Sequence, residues 1–154
     1  MLPALCSTLS LFFAFERPLC AADKPILIGG SLPLTGTFSA TGKWVERGYQ
    51  FWAEEVNGKG GLLGRPVKLL IYDDKSDAKE AVSLIEKVIT VDKADLLLGG
   101  YPGTACTAVM PVAEKYKMVY VSMGGHMKSF SQGYTYSFGS PPLMGEWWYL
   151  GFFE

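Results

Sequence analysis

The chain holds a single histidine, His126, and only three cysteines, Cys6, Cys20 and Cys106, in 154 residues. One imidazole leaves histidine-dependent triads and histidine-rich zinc sites with little to work with. There is no excess of basic charge either: 14 Lys and Arg stand against 15 Asp and Glu, for a net charge of −1. Nucleic-acid binding draws on clustered positive charge, so no nucleic-acid partner is expected. Beyond the first 22 residues, no apolar run reaches the ~18 residues that suggest a membrane helix. The phosphate and nucleophile signatures are missing as well. The glycines after the first apolar run read Gly29-Gly30-Ser31-Leu32-Pro33-Leu34, which does not fit G-x-G-x-x-G. No G-x-x-x-x-G-K-[ST] loop and no G-x-S-x-G elbow occurs. Asp73-Asp74 is a carboxylate pair, but at the end of a strand such a pair reads as a turn or helix-capping feature rather than a metal site. No catalytic residue, metal or cofactor is therefore expected.

What remains is ordinary globular material, 49% hydrophobic and 19% charged, of a length that allows one domain. The first 22 residues stand apart. Leu9–Phe15 is an apolar block, and Cys20-Ala21-Ala22 ends in small residues. Residues 1–22 read as a secretory signal peptide cleaved before Asp23, although no Lys or Arg precedes the apolar block and Glu16-Arg17 interrupt its end. Residues 23–154 then form the mature part. Cleavage removes Cys6 and Cys20, so Cys106 has no partner for an internal disulfide and reads as a small buried hydrophobe.

The mature part opens on Pro25–Gly42. Ile26-Leu27-Ile28 suits a buried strand, and the residues from Gly29 to Gly42 read as a small, hydroxyl-rich loop leading into a helix over Gly42–Asn57. Val45, Tyr49, Trp52 and Val56 make one apolar stripe on that helix. Gly48 within it suggests close packing on a sheet. A second strand over Val67–Tyr72 ends at Asp73-Asp74. Ser76 or Asp77 caps the next helix, with Glu80 placed for a reciprocal bond, and Ala78, Ala81, Val82, Ile85 and Ile89 face inward. Asp95–Leu98 is a third strand with the exit loop 99–104. A third helix carries Ala105, Ala108, Val109, Val112 and Tyr116 inward. Val119–Val121 is a fourth strand leaving through 122–126, Tyr134–Phe138 a fifth, and Trp147–Phe153 a last aromatic segment. This alternation predicts an α/β fold in three αβα layers around a mostly parallel sheet. The small polar loops 29–42, 99–104 and 122–126 then converge on one sheet edge, where a ligand sits. Such loops suit holding a small polar molecule without transforming it.

At this point the chain resembles a known family. Pro33-Leu34-Thr35-Gly36, Gly42, Asn57, Gly60-Gly61, Gly64-Arg65-Pro66 and Asp73-Asp74 follow one another as in the periplasmic binding proteins of the branched-chain amino acid type. The resemblance runs from about Ile26 to Ser140 and is most specific in the stretch from Asn57 to Asp74. It implies a type I periplasmic-binding lobe, the solute receptor of an ABC importer, a membrane permease as partner and a periplasmic location. The implied ligand is an amino acid or a related small carboxylate or amide. Thr104 is implied as the carboxylate ligand, with Gly103 beside it; Ser122, Gly124, Gly125 and His126 supply contacts from the loop after the fourth strand. Thr41, with Phe38 and Ser39, lines the rim. The family commonly has an aromatic near Thr41, a Thr in place of His126 and a Ser in place of Gly103, so the solute need not be leucine. The match stops inside the first of two lobes, which implies an incomplete lobe and a truncated chain. The alternative reading is the ligand domain of a cytoplasmic amide or amino-acid sensor, which shares this fold.

Overall fold

The computed structural model describes residues 24–125 and 127–139. The proposed signal peptide, His126 and the aromatic segment 147–153 lie outside the described residues. Nine elements follow in order: β1 (Ile26–Leu32), α1 (Ser39–Gly58), β2 (Val67–Asp73), α2 (Ala78–Thr90), β3 (Leu96–Leu98), α3 (Gly103–Tyr116), β4 (Tyr120–Ser122), α4 (Met127–Phe130) and β5 (Ser137–Gly139). The five strands form one sheet in the order β2-β1-β3-β4-β5, and every pairing is parallel. The α/β reading holds.

The chain leaves β1 in one direction, through α1 to β2. It then returns across β1, through α2, to β3. Right-handed crossovers in these opposite directions place α1 on one face and α2 with α3 on the other. Two cores result. Ile26, Ile28 and Val67 pack with Ala53 and Val56 of α1. Ala81, Ile85 and Val88 of α2 pack with Val109, Met110 and Ala113 of α3 over Leu97 and Tyr120. Fully burying a side chain such as Ile85 or Val88 is worth about 1.5–3 kcal/mol, and both are 1% exposed or less. The larger core thus joins two helices to the two central short strands.

β1 is longer than the sequence suggests. Gly29, Gly30 and Ser31 continue the strand rather than opening the loop, because β1 is paired along its whole length with β2, from Ile26 opposite Val67 to Leu32 opposite Asp73. Glycine is kept at position 29 for close approach. A Cβ there would stand 2.2 Å from Cγ1 of Val88 and 3.3 Å from Cβ of Ala94. α1 likewise starts earlier, at Ser39, so the first exit loop is reduced to residues 33–38. Gly48 does not pack on the sheet: it is exposed, and a Cβ there would meet nothing within 4 Å. The capping residue of α2 is Asp77, whose carboxylate accepts the N–H groups of Lys79 and Glu80 at 2.7 and 3.2 Å. Its own N–H goes to the carbonyl of Asp74 rather than to Glu80, so the reciprocal bond is not made.

The connection from α1 to β2 is built by the residues that carried the family resemblance. Asn57 donates from Nδ2 to the carbonyl of Val67 at 2.9 Å and accepts the Val67 N–H on Oδ1 at 2.7 Å. One side chain therefore stands in for a strand neighbour at the start of β2. Leu62 and Arg65 close the turn between them by an antiparallel bridge, and Arg65 Nε donates to the carbonyl of Lys24 at 2.8 Å.

Among the described residues, the sheet is only half covered on the α1 face. A groove of about 600 Å³ runs beside α1, lined by Ile28, Trp52, Leu96, Val119, Val121 and Met123 among others. Trp52, on the expected inward stripe, is 38% exposed at its margin.

The two glycines make a paired test. Gly29→Ala forces a methyl group into Val88 and is expected to lower stability by about 1–3 kcal/mol. Gly48→Ala, in an open helical position, is expected to raise it by about 0.5–1 kcal/mol. Urea unfolding of the two variants beside the parent chain measures both.

Candidate functional site

The carboxyl edge of the sheet is organised from Asp73, the last residue of β2. Its Oδ1 accepts the N–H groups of Leu34, Thr35 and Lys75 at 2.9, 3.1 and 2.9 Å, and its Oδ2 accepts the Thr35 hydroxyl at 2.7 Å. Ser76 adds a second tie, donating to the carbonyl of Thr35 at 2.9 Å and accepting the Phe38 N–H at 3.1 Å. The Pro-Leu-Thr-Gly loop after β1 is thus held by the turn after β2. Gly36 lies within it at φ +81°, where a Cβ would stand 2.6 Å from the carbonyl oxygen of Lys75. The carboxylate pair is a turn feature, as its position at the strand end suggests.

The loop after β3 is pinned from both sides of the sheet. Tyr49 of α1 donates its phenol to the carbonyl of Gly99. Cys106 of α3 donates its thiol to the carbonyl of Gly100 at 2.9 Å. Burial pushes the Tyr49 phenol well up, with a smaller push from Cys106, so the hydroxyl remains a donor throughout the accessible pH range. Cys106 is 1% exposed and reduced, in keeping with its reading as a buried hydrophobe. The Tyr101–Pro102 peptide bond is cis.

Three exit loops meet here, at the switch point between β1 and β3 where open α/β sheets take their ligands. Phe38 stands edge-on to Tyr101, with ring centroids 5.5 Å apart and planes at 81°. A Cβ on Gly103 would lie 3.2 Å from Cα of Gly125, and one on Gly124 would lie 3.4 Å from Sγ of Cys106. The structure therefore brings Phe38, Gly103, Gly124 and Gly125 together along one edge. Gly125 sits at φ +134°, and a Cβ there would meet the ring of Phe130 at 2.7 Å.

The remaining candidates take different positions. Thr104 is not in the exit loop, which ends at Pro102; it is the second residue of α3 and exposed. The helix is capped without a side-chain hydrogen bond, so Thr104 is not an N-cap. As first-turn residues, Gly103 and Thr104 have N–H groups without an intrahelical acceptor. Ser39 and Thr41 lie in the first turn of α1, Ser39 half-buried and Thr41 exposed. Ser122 is fully buried; its hydroxyl bonds the carbonyl of Gly124 and accepts the Gly124 N–H at 3.2 Å. It shapes the turn from beneath. Sequence reasoning passed over Tyr101, Tyr49 and Thr107. Thr107 donates to the carbonyl of Gly103 at 2.8 Å and lies 2.8 Å from the Ser129 hydroxyl, which ties α3 to α4. An aromatic directly after Gly99-Gly100 was the one available clue to Tyr101. Among the described residues no group of three or more His, Cys, Asp or Glu could hold a metal ion.

The family described as periplasmic binding protein matches residues 25–144. A Leu/Ile/Val-binding protein of Rhizobium johnstonii is 43% identical over 88 residues, 57% of this chain and 23% of that protein. A branched-chain amino acid transporter substrate-binding protein of Streptococcus pneumoniae, solved in complex with isoleucine, superposes with a TM-score of 0.69 at 27% identity, over 75% of this chain and 33% of that one. A leucine-binding protein of Thermotoga maritima gives a TM-score of 0.68 at 29% identity, over 74% and 32%. The chain spans about a quarter of that curated relative and about a third of those solved chains.

The hydrogen bonds at Asp73 predict a pH response. Partial desolvation raises its pKa, but the Thr35 hydroxyl and the N–H groups of Lys75, Thr35 and Leu34 outweigh it and hold the carboxyl below its ordinary value. Asp77 is lowered too, by the N–H groups of Glu80 and Lys79. A carboxyl with a lowered folded-state pKa contributes stability that is present above the ordinary carboxylate range and is lost on acidification through the folded pKa. Asp73→Asn is expected to lower the melting temperature at neutral pH and to flatten its fall toward about pH 3. A melting-temperature series over pH for both proteins tests this.

Proposed function

The chain belongs to the periplasmic binding protein family, and from that premise we propose that it is part of the first lobe of a solute receptor serving an ABC importer. The solute is a branched-chain amino acid or a related small carboxylate or amide. The observation that carries the reading is the convergence of the loops 33–38, 99–102 and 123–125 on the first turn of α3. The carboxylate is held by the Thr104 hydroxyl and by the N–H groups of Gly103 and Thr104. The positive end of the α3 dipole favours an anion there by about 0.3–1 kcal/mol. Gly124 and Gly125 line the adjoining side, and Phe38, Ser39 and Thr41 form the rim; the contact expected from His126 lies outside the described residues. Ser122 acts indirectly, by shaping the turn at Gly124.

The receptor works in the periplasm, after export by residues 1–22, and hands its solute to a membrane permease. Clamping in a receptor of this kind draws on a second lobe. The described residues supply one side of the cleft. Binding stabilises the folded chain by RT ln(1 + [L]/Kd), about 2.7 kcal/mol at a hundredfold excess over Kd.

Thermal unfolding against leucine, isoleucine, valine, small amides and aromatic acids tests the reading. One class is expected to raise the melting temperature in a concentration-dependent way. Thr104→Ala is expected to weaken that ligand about tenfold, or ~1.4 kcal/mol, with the unliganded melting temperature unchanged because Thr104 is exposed. A cooperative transition that no member of the panel moves would count against the proposal.

A further inference from the structure

Asp74 differs sharply from its neighbour Asp73. It is 1% exposed, and its Oδ1 accepts the Ser76 N–H at 3.0 Å. Its Oδ2 is buried and has no hydrogen-bond partner among the described residues. A buried carboxylate oxygen left in this way is costly, and native structures supply a partner for nearly all such atoms. Asp74 lines a cavity of about 10 Å³ together with Ser31, Gly100, Cys106 and Tyr120, and its apolar walls include Ile85 and Val109.

We propose that this cavity is a binding site for one water molecule, hydrogen-bonded to Asp74 Oδ2 and to the hydroxyl of Ser31 or Tyr120. Three observations carry the assignment. A cavity holds water when it has room for about one probe sphere, roughly 10–15 Å³, and offers at least two polar partners. This one meets the size at its lower limit and has polar groups on several sides. Ser31 is 5% exposed and Tyr120 1%, so bulk solvent does not serve them. The Cys106 thiol is already directed at the carbonyl of Gly100, the Ser31 hydroxyl bears on Asp74, and the Tyr120 phenol on Cys106 and Ser122; each hydroxyl oxygen keeps a second lone pair that can accept from the water. Water also suits both protonation states of Asp74. Burial drives this carboxyl above its ordinary value, with Asp73 and Asp77 adding to it, against the Ser76 N–H and the Ser31 hydroxyl. A water molecule donates to the ionised carboxylate and accepts from the protonated acid, so the site remains satisfied through the titration. The wall formed by Gly100, Ala105 and Cys106 is the back of the β3 exit loop and the first turn of α3. The water therefore joins the end of β2 to that loop through the interior, and the inference stands on this geometry without the functional proposal.

The test is a crystal structure of the chain at about 1.5 Å together with water–amide cross-relaxation by NMR. A single density peak is expected about 2.7–3.2 Å from Asp74 Oδ2 and from the oxygen of Ser31 or Tyr120. A long-lived water signal at the amides of Gly100 and Cys106 is expected in solution. Asp74→Asn should keep both and Asp74→Leu should lose both; where Asp74→Leu does not fold, the wild-type cross-relaxation decides. An empty cavity with Asp74 turned directly onto Ser31 or Tyr120 overturns the proposal. So does a peak with five or more short oxygen contacts, which would identify a cation, or a peak that persists in Asp74→Leu.

Discussion

Asp73 closes β2 and, in the same few ångströms, holds the loop that leaves β1. Four hydrogen bonds on one carboxylate fix Leu34, Thr35 and Lys75 together, and Ser76 carries the tie on to Phe38. Phe38 then meets Tyr101 of the next exit loop. The first rim of the candidate cleft is therefore placed by a residue that does not line it. The loop after β3 follows the same rule, held by Tyr49 from one layer and Cys106 from the other. Small residues lie where the loops touch, and larger polar groups secure them from behind.

Much of this architecture was legible in the residues. The strand–helix alternation, the inward faces of α2 and α3 and the three polar exit loops follow from hydrophobic period and turn chemistry. The errors share a cause. Gly29-Gly30 looked like loop because glycine is a poor strand former, yet β1 has a strand on each side and Val88 occupies the space above Gly29. Gly48 looked like a packing contact because its helical cost seemed to need a reason, and it faces open space. In both cases tertiary neighbours decided, and a single sequence does not print them. The candidate site was legible at the level of loops but less so at the level of atoms. Ser122 turned inward and Thr104 moved into the helix, since one residue of shift at a strand or helix end changes where a side chain lies.

The apolar groove beside α1 reflects how the two faces of the sheet are covered. Among the described residues, one face of the sheet is covered by α2 and α3, and the other by α1 over β1 and β2. Ile28, Leu96, Val119 and Val121 read as core-strand residues in composition.

The two-sided pairing of β1 also sets an order of events for a growing chain. Ile26 meets Val67 and Ile28 meets Leu96, so no strand contact of β1 lies nearby in sequence. Closing such long loops costs entropy before any pairing is gained, and parallel sheets fold slowly for that reason. β1 is the first strand to leave the ribosome and among the last to have both edges satisfied. Until β3 has been synthesised, its Ile28-Gly29-Gly30 edge is an open template for pairing with another chain.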